Sequence, residues 1–423
     1  MFGKALKLFL LLMAGYLLLG AVAWMMPDWR VVKHVRDSLD GGELRDDYPK
    51  AIIVAHSWTQ DQYTMDNFTD ALILNQCIHL RSDGWRSGLT VPRYDEKAPQ
   101  CVNLLKAMDS DTVAGKMVTY PRYWHGNTYI TRILLTFMSF RSVRYLIYLV
   151  STVLLLWCTG RLWRRVSPLV AVAIVASLLL VNVYVMQFSV QFAQVLIIAL
   201  GGMLWLTYHR QPGKAGMALL FGVLGSLTAY FDLLTVPTLT LGLPLVVAVA
   251  LREDEKIGGA LWGVLRLCIW WAGAYVLTWA GKWGIATLLT GENVFANATG
   301  QAAVWQEDGG SYIGEAFSLI FGKIKWVYVL LLAVLLTVAA AVYHRRGRWI
   351  QTAQYALVLA IPIVYYLAMP HHTQHHSWFC YRGLATSIAA LLMMIATWVD
   401  WQRCRKGLTK ILKKCHGKNN AHK

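Results

Sequence analysis

The sequence predicts an all-α integral membrane protein of about ten transmembrane helices, with one long polar loop between the first and the second. Three observations carry this. Of 423 residues, 57% are hydrophobic and only 15% charged, with mean hydropathy +0.43, well outside the balance of a soluble domain. About ten apolar stretches approach the roughly 20 residues that a spanning helix needs. Between the first two, Pro27 to Arg141 stays polar and holds fourteen acidic and fourteen basic side chains.

The chain reads as a single polytopic domain over 1–423: a first span at 5–26, an extracytoplasmic loop at 27–141, nine further spans within 142–400 and a basic cytoplasmic tail at 401–423. Lys4 and Lys7 precede the first span. Ala21-Val22-Ala23 resembles a signal-peptidase site, but the length of the run and the bulky Trp24 favour an uncleaved anchor. The later spans are expected at Val143–Thr159, Pro168–Tyr184, Val190–Tyr208, Ala215–Leu234, Val236–Leu251, Ala260–Leu289, Trp326–Tyr343, Tyr355–Met369 and Leu384–Trp398.

Orientation comes from the basic clusters. The loop is neutral, so the net charge of +17 lies elsewhere. Arg161 with Arg164-Arg165, His209-Arg210 with Lys214, Arg252 with Lys256, Arg345-Arg346 with Arg348, and the tail from Arg403 fall on alternate connections. With the N-terminus inside, every cluster is cytoplasmic, as the positive-inside rule requires, while a long loop translocates whatever its charge. Both termini are then cytoplasmic in a bacterial cytoplasmic (inner) membrane, and the positive excess contacts membrane lipids rather than nucleic acid. Tyr129 to Phe140 alternates Ile133, Leu134, Phe137 and Met138 with Thr131, Arg132 and Ser139, and is expected to lie as an amphipathic helix in the membrane plane.

Chemistry needs ionisable groups on a solvated, structured segment, and the long loop is richest in them. Asp66-Asn67-Phe68-Thr69-Asp70 reads as a helix start. Asp66 is at least an N-cap, and Asp70 lies one turn on along the same face. Two carboxylates so spaced raise one pKa or share a cation, as a general base requires. Mg²⁺ or Mn²⁺ is the one cofactor the pattern admits. Asp46-Asp47 is a rival pair, followed by a turn-like Tyr48-Pro49.

Tyr120-Pro121-Arg122-Tyr123-Trp124-His125-Gly126 is either a sugar- and phosphate-binding cluster or an interfacial aromatic belt. In His371-His372-Thr373-Gln374-His375-His376-Ser377-Trp378-Phe379-Cys380-Tyr381-Arg382 the histidines have metal-like i,i+4 spacing but no carboxylate beside them. No resident metal site is assigned; an anion site using His376 and Arg382 is the better reading. Asp232, before Pro237 at the outer end of a span, is a costly charge expected to hold Arg122 or a histidine. Cys77 and Cys101 are candidates for a disulfide if the loop is exported. No CxxC, phosphate-binding P-loop or dinucleotide motif occurs.

The layout of one anchor, a long exported loop with an Asp at its heart, then a bundle of spans resembles the GT-C superfamily of polyprenyl-phosphate-sugar-dependent glycosyltransferases. Residues 66–70, 120–126, 230–232 and 376–382 look like motifs of a bacterial subgroup. The superfamily's paired acids are here Asp66-Asn67, and Asp46-Asp47 matches that pair better by letter. The resemblance implies an inverting sugar transfer from a polyprenyl-phosphate donor to a glycan, lipid or protein acceptor of the cell envelope. It implies Asp66 as base with Asp70 in support, and Arg122, Tyr123, Trp124, His125, Asp232, His376 and Arg382 as the substrate- and phosphate-binding set. A flippase or transporter of a lipid-linked or anionic solute is the main alternative, with a non-catalytic scaffold of envelope glycan assembly as the third. Scarce midplane charges and the absence of inverted repeats weigh against transport.

Overall fold

The computed structural model describes residues 2–44, 66–109, 116–209, 212–252, 256–306, 309–407 and 409. Asp46 and Asp47 lie outside the described residues. Helices dominate: α1 (Phe2–Met25), α2 (Asp28–Asp40), α3 (Asn67–His79), α4 (Gln100–Ala107), α5 (Gly126–Leu135), α6 (Phe140–Arg165), α7 (Pro168–Leu180), α8 (Val190–Tyr208), α9 (Lys214–Phe231), α10 (Thr238–Ala250), α11 (Ile257–Thr290), α12 (Trp326–Val342), α13 (Trp349–Ala368) and α14 (Leu384–Ala396). A two-stranded antiparallel ribbon pairs Arg93 with Val118 and Tyr94 with Met117.

Among the described residues, seven helices are long and apolar enough to cross a membrane: α1, α6, α8, α9, α11, α13 and Ser377–Ala396. An eighth is counted if Tyr312–Gly322 and α12, bent by 70°, form one span. The remaining two expected spans, α7 and α10, are apolar but only 13 residues long. At 1.5 Å per residue each reaches about 20 Å, short of a hydrocarbon core of about 30 Å. Conversely α11 runs unbroken for 34 residues, about 51 Å, and extends beyond any hydrocarbon layer. Local signals set several starts: Ser139, Ser167 and Ser189 cap α6, α7 and α8 through their hydroxyls, and Pro168 fits the first turn, where its missing N–H is no loss.

Two of the connections between the expected spans are helical. The stretch from 291 to 325 is helical, over Val294–Gln306 and Gly309–Gly322. The histidine segment folds into the short helices Pro370–His375 and Ser377–Cys380 followed by a 3₁₀ turn.

The helices pack into one large apolar core. Gly225 permits a close approach, because a Cβ there would fall 2.1 Å from the Trp271 carbonyl oxygen, so α9 and α11 meet backbone to backbone. A second core joins the polar loop to the bundle: Ala71, Ile73 and Leu74 of α3 and Leu104 of α4 pack on Phe140 and Val143 of α6 and on Val190 and Ala193 of α8. The loop is therefore seated on the ends of α6 and α8.

The expected surface helix at 129–140 is corrected as well. It ends at Leu135, and Arg132 is fully buried. Its guanidinium donates to the carbonyls of Ala23 (2.8 Å), Met26 (2.7 Å) and Cys77 and pairs with Asp28. Periodicity placed Arg132 on a polar face, but that face meets protein. Five donors in a fixed fork make arginine suited to tying several chain ends together.

Candidate functional site

The site is built around the start of α3. Asp66 caps the helix as its spacing foretold, with Oδ1 accepting from the Thr69 amide at 2.9 Å. Its other oxygen, Oδ2, is buried and has no partner. Asp66 and Asp70 are both fully buried, but their surroundings differ. Arg144 of α6 donates to Asp70 Oδ2 through Nε (3.0 Å) and Nη2 (2.6 Å) and to Asn67 Oδ1 (3.1 Å). The Val190 amide, at the positive end of α8, donates to Asp70 Oδ1 at 3.3 Å.

Electrostatics follow from this asymmetry. Burial, then the charge on Asp70, raises the pKa of Asp66 to about 7, against the amide of Thr69 and the guanidinium of Arg382. For Asp70, burial pushes upward and Arg144 pulls back. Asp70 is thus a satisfied brace. With both its oxygens occupied, a cation shared by the two carboxylates would find only Asp66 Oδ2 open. Among the described residues no group of three or more His, Cys, Asp or Glu has metal-binding geometry.

Arg382, near Asp66, is 1% exposed. It donates from Nη1 to the Trp378 carbonyl (3.1 Å) and lies 5.2 Å from the Phe192 ring and 4.9 Å from the Tyr381 ring. Its Nε is buried without an acceptor. An orphan carboxylate oxygen and an orphan guanidinium N–H therefore belong to one interior region, beside the first turn of α8. Buried polar groups are normally paired, and unpaired ones mark unfilled sites or stored strain.

Other expected residues fall elsewhere. His376 stacks on Phe379 (4.9 Å, 18°) and neighbours His372 (4.8 Å). Burial and then the surrounding histidines depress its pKa to about 2, so it is a neutral packing group rather than a cationic phosphate donor. His125 adopts φ +59° beside Gly126, where a Cβ would collide with the Tyr230 ring at 2.4 Å. Its Nε2 bonds the Tyr120 carbonyl at 2.7 Å, and burial lowers its pKa to about 3; it too is neutral. Trp124 donates to the Thr278 carbonyl (2.8 Å) within an aromatic cluster with Tyr16 and Tyr230, a structural setting.

Asp232 binds its own turn. Oδ1 accepts from the Thr235 amide (3.0 Å) and hydroxyl, Oδ2 is buried and unpartnered, and burial raises its pKa to about 6. It holds neither Arg122 nor a histidine. Gln191 of α8 lies beside it without closing a well-formed bond, and Tyr123 is near enough to feel its charge. Arg122 instead stacks over Tyr120 (4.3 Å) and reaches Asn297 Oδ1 (3.3 Å).

The structure does not bring the two candidate cysteines together. No disulfide joins Cys77 and Cys101, and their sulfurs face the carbonyls of Thr128 (3.4 Å) and Asn67 (3.8 Å) respectively. Cys101 thus meets α3 at its start, whereas Cys77 lies ten residues on, about 15 Å along the axis. A disulfide needs Cα atoms within about 7 Å.

Sequence reasoning missed Arg144 and Gln191. Arg144 carried a usable signal, being the one charge within the expected span Val143–Thr159, where ionisable residues are expensive and paired or functional.

Comparison with protein-family models, curated proteins and solved structures finds no match to this chain. By its apolar helices it is a multi-pass helical membrane protein, with a buried carboxylate–guanidinium site where its polar loop meets the bundle.

Proposed function

We propose that the protein is an inverting membrane glycosyltransferase of GT-C type, moving a sugar from a polyprenyl-phosphate donor to an envelope glycan, lipid or protein acceptor. In this reading the Asp66 end of the bundle is extracytoplasmic, both termini are cytoplasmic, and the host membrane is the bacterial cytoplasmic membrane.

The observation that supports it is the division of labour at α3: Asp70 saturated by Arg144, Asp66 with one oxygen open, burial holding its pKa near neutrality. A general base works best with a pKa near the operating pH. Asp66 Oδ2 takes the proton of the acceptor hydroxyl, and the oxygen attacks the anomeric carbon. The bond from that carbon to the phosphate oxygen breaks with inversion, and the electron pair leaves on the phosphate. Arg382, with an unused N–H, donates to that developing charge, and such fixed donors stabilise it most in a water-poor site. Arg122 and Tyr123, the latter near Asp232, are assigned to the acceptor or sugar; His125, His376 and Trp124 are assigned to packing.

The test is release of polyprenyl phosphate from a panel of synthetic polyprenyl-phosphate monosaccharides by the full chain in membranes. Asp66→Asn keeps the cap, since Asn caps about as well as Asp, yet removes the base and should lower turnover about 10²–10⁴-fold. Unchanged turnover removes Asp66 from the chemistry. Movement of intact donor across the bilayer with no release would favour the flippase.

A further inference from the structure

The first turn of α8, the turn after α9 and one face of α11 leave a set of buried groups unsatisfied. Asp232, 1% exposed, keeps Oδ2 without a partner among the described residues, and Gln191, equally buried, keeps both ends of its amide so. Tyr275 Oη and Trp279 Nε1 on α11 are likewise buried and unpartnered. Tyr275 and Tyr123 both lie near enough to Asp232 to feel its charge. Trp279 packs against both of their rings, at 5.0 and 5.8 Å between centroids. Orphan polar groups are rare in a folded interior, and four residues that share one region mark a place for a ligand.

This set adjoins the Asp66 site. Gln191 stands between Val190, whose amide donates to Asp70, and Phe192, whose ring lies 5.2 Å from the Arg382 guanidinium. The turn closed by Asp232 touches the Arg382 segment as well: Cys380 Sγ lies 3.7 Å from the Thr235 carbonyl, two residues before Arg382. A ligand with its phosphate at Arg382 therefore has Asp232, Gln191 and the aromatic face of α11 as its next neighbours.

The balance of donors and acceptors selects the ligand. Ionised Asp232 only accepts, Trp279 only donates, and Gln191 and Tyr275 do both. A second anion would face the Asp232 carboxylate. A cation would meet Arg382 on one side and, on the other, Arg122, which lies 5.7 Å from the Tyr123 ring. Hydroxyls donate and accept alike, so a neutral polyol satisfies the whole set. The aromatic walls, apolar in body with polar tips, suit a sugar ring, whose C–H faces are apolar and whose rim is hydroxylated. We propose that Asp232, Gln191 and Tyr275 bind hydroxyls of the donor's sugar ring and restrict it to an uncharged sugar. This rests on the glycosyltransferase reading and names the class of sugar for it.

The experiment measures binding to the full chain in nanodiscs, without acceptor, by native mass spectrometry. The probes are citronellyl phosphate, its neutral hexosyl derivatives, and the uronic acid and free amino sugar forms of each. At least one neutral hexosyl phosphate should bind about tenfold tighter than citronellyl phosphate, and its uronic acid about tenfold weaker than the neutral form. Asp232→Asn should weaken the neutral sugar about tenfold and erase discrimination against the uronic acid, a reversal that a merely structural role would not produce. Tyr275→Phe should weaken the neutral sugar about fivefold, and Asp37→Asn, exposed on α2, should change nothing. A uronic acid or amino sugar bound as tightly as the neutral ring overturns the proposal, as does an Asp232→Asn protein that keeps both affinity and discrimination. Should that variant fail to fold, Tyr275→Phe decides by its affinity. Citronellyl phosphate bound as well as every glycosyl derivative sinks this subsite alone, whereas no binding of any probe sinks the lipid-linked donor with it.

Discussion

Arg144 grips Asp70 through both Nε and Nη2, at 3.0 and 2.6 Å, with neither side chain more than 6% exposed. One residue of α6 thereby neutralises one acid of a pair and leaves the other acid, Asp66, with an open oxygen. Four predictions rest on this arrangement and its surroundings.

Breaking the grip should be costly. Arg144→Ala strands a buried charge and should destabilise the protein by about 3–5 kcal/mol, whereas the double variant Arg144→Met with Asp70→Leu should recover most of that loss. Thermal unfolding of the detergent-purified protein measures both. A double variant no better than the single would mean the pair does more than balance charge.

Asp66 should set two pH dependences of opposite sign. Its carboxyl titrates near 7 in the folded protein against a usual 3.8. The base is the ionised form, so turnover should rise through about pH 7. Between 3.8 and 7 the folded state binds more protons than the unfolded state, so stability should fall as pH rises across that window. Asp66→Asn should flatten the stability slope, measured by unfolding at pH 4.5 and 7.5. A slope that persists in the variant would assign it to other groups.

Arg382 lowers the Asp66 pKa. Arg382→Gln should therefore move the rising limb of the pH–rate profile to higher pH as well as slowing turnover. His376→Gln, at a neutral packed position, should leave the limb where it is. A slower Arg382→Gln enzyme with an unmoved limb would place the arginine away from Asp66.

Topology makes the remaining prediction. Reporter fusions after Arg165, Lys256 and Arg348 should read cytoplasmic, and fusions at 100–120 exported, because the basic connections alternate. A cytoplasmic reading near residue 100 would turn Asp66 toward soluble nucleotide sugars and remove the lipid-linked donor from the proposal.

Legibility divided along physical lines. The helical class, the order of the spans and the Asp66 cap are local properties, set by runs of apolar residues and by one carboxylate reaching an amide three residues on, and each could be read from the chain. The disulfide could not: both cysteines belong to one small core, yet Cys101 meets the start of α3 and Cys77 lies about 15 Å further along that helix, a matter of where α4 docks. His125 and His376 carried the right chemistry by letter and lost it by burial, because a desolvated imidazole sheds its proton.

By itself, then, the sequence determined a multi-span helical bundle with a polar loop whose acids start a helix, because hydropathy and capping act over a few residues. Only the tertiary structure decided which acid stays open. That depended on Arg144 and Val190 arriving from 74 and 120 residues away to satisfy Asp70, and on Arg382 arriving from the far end of the chain beside Asp66. Charge pairing in a water-poor interior is a property of who is adjacent, and adjacency across the bundle is fixed by packing rather than by spacing along the chain.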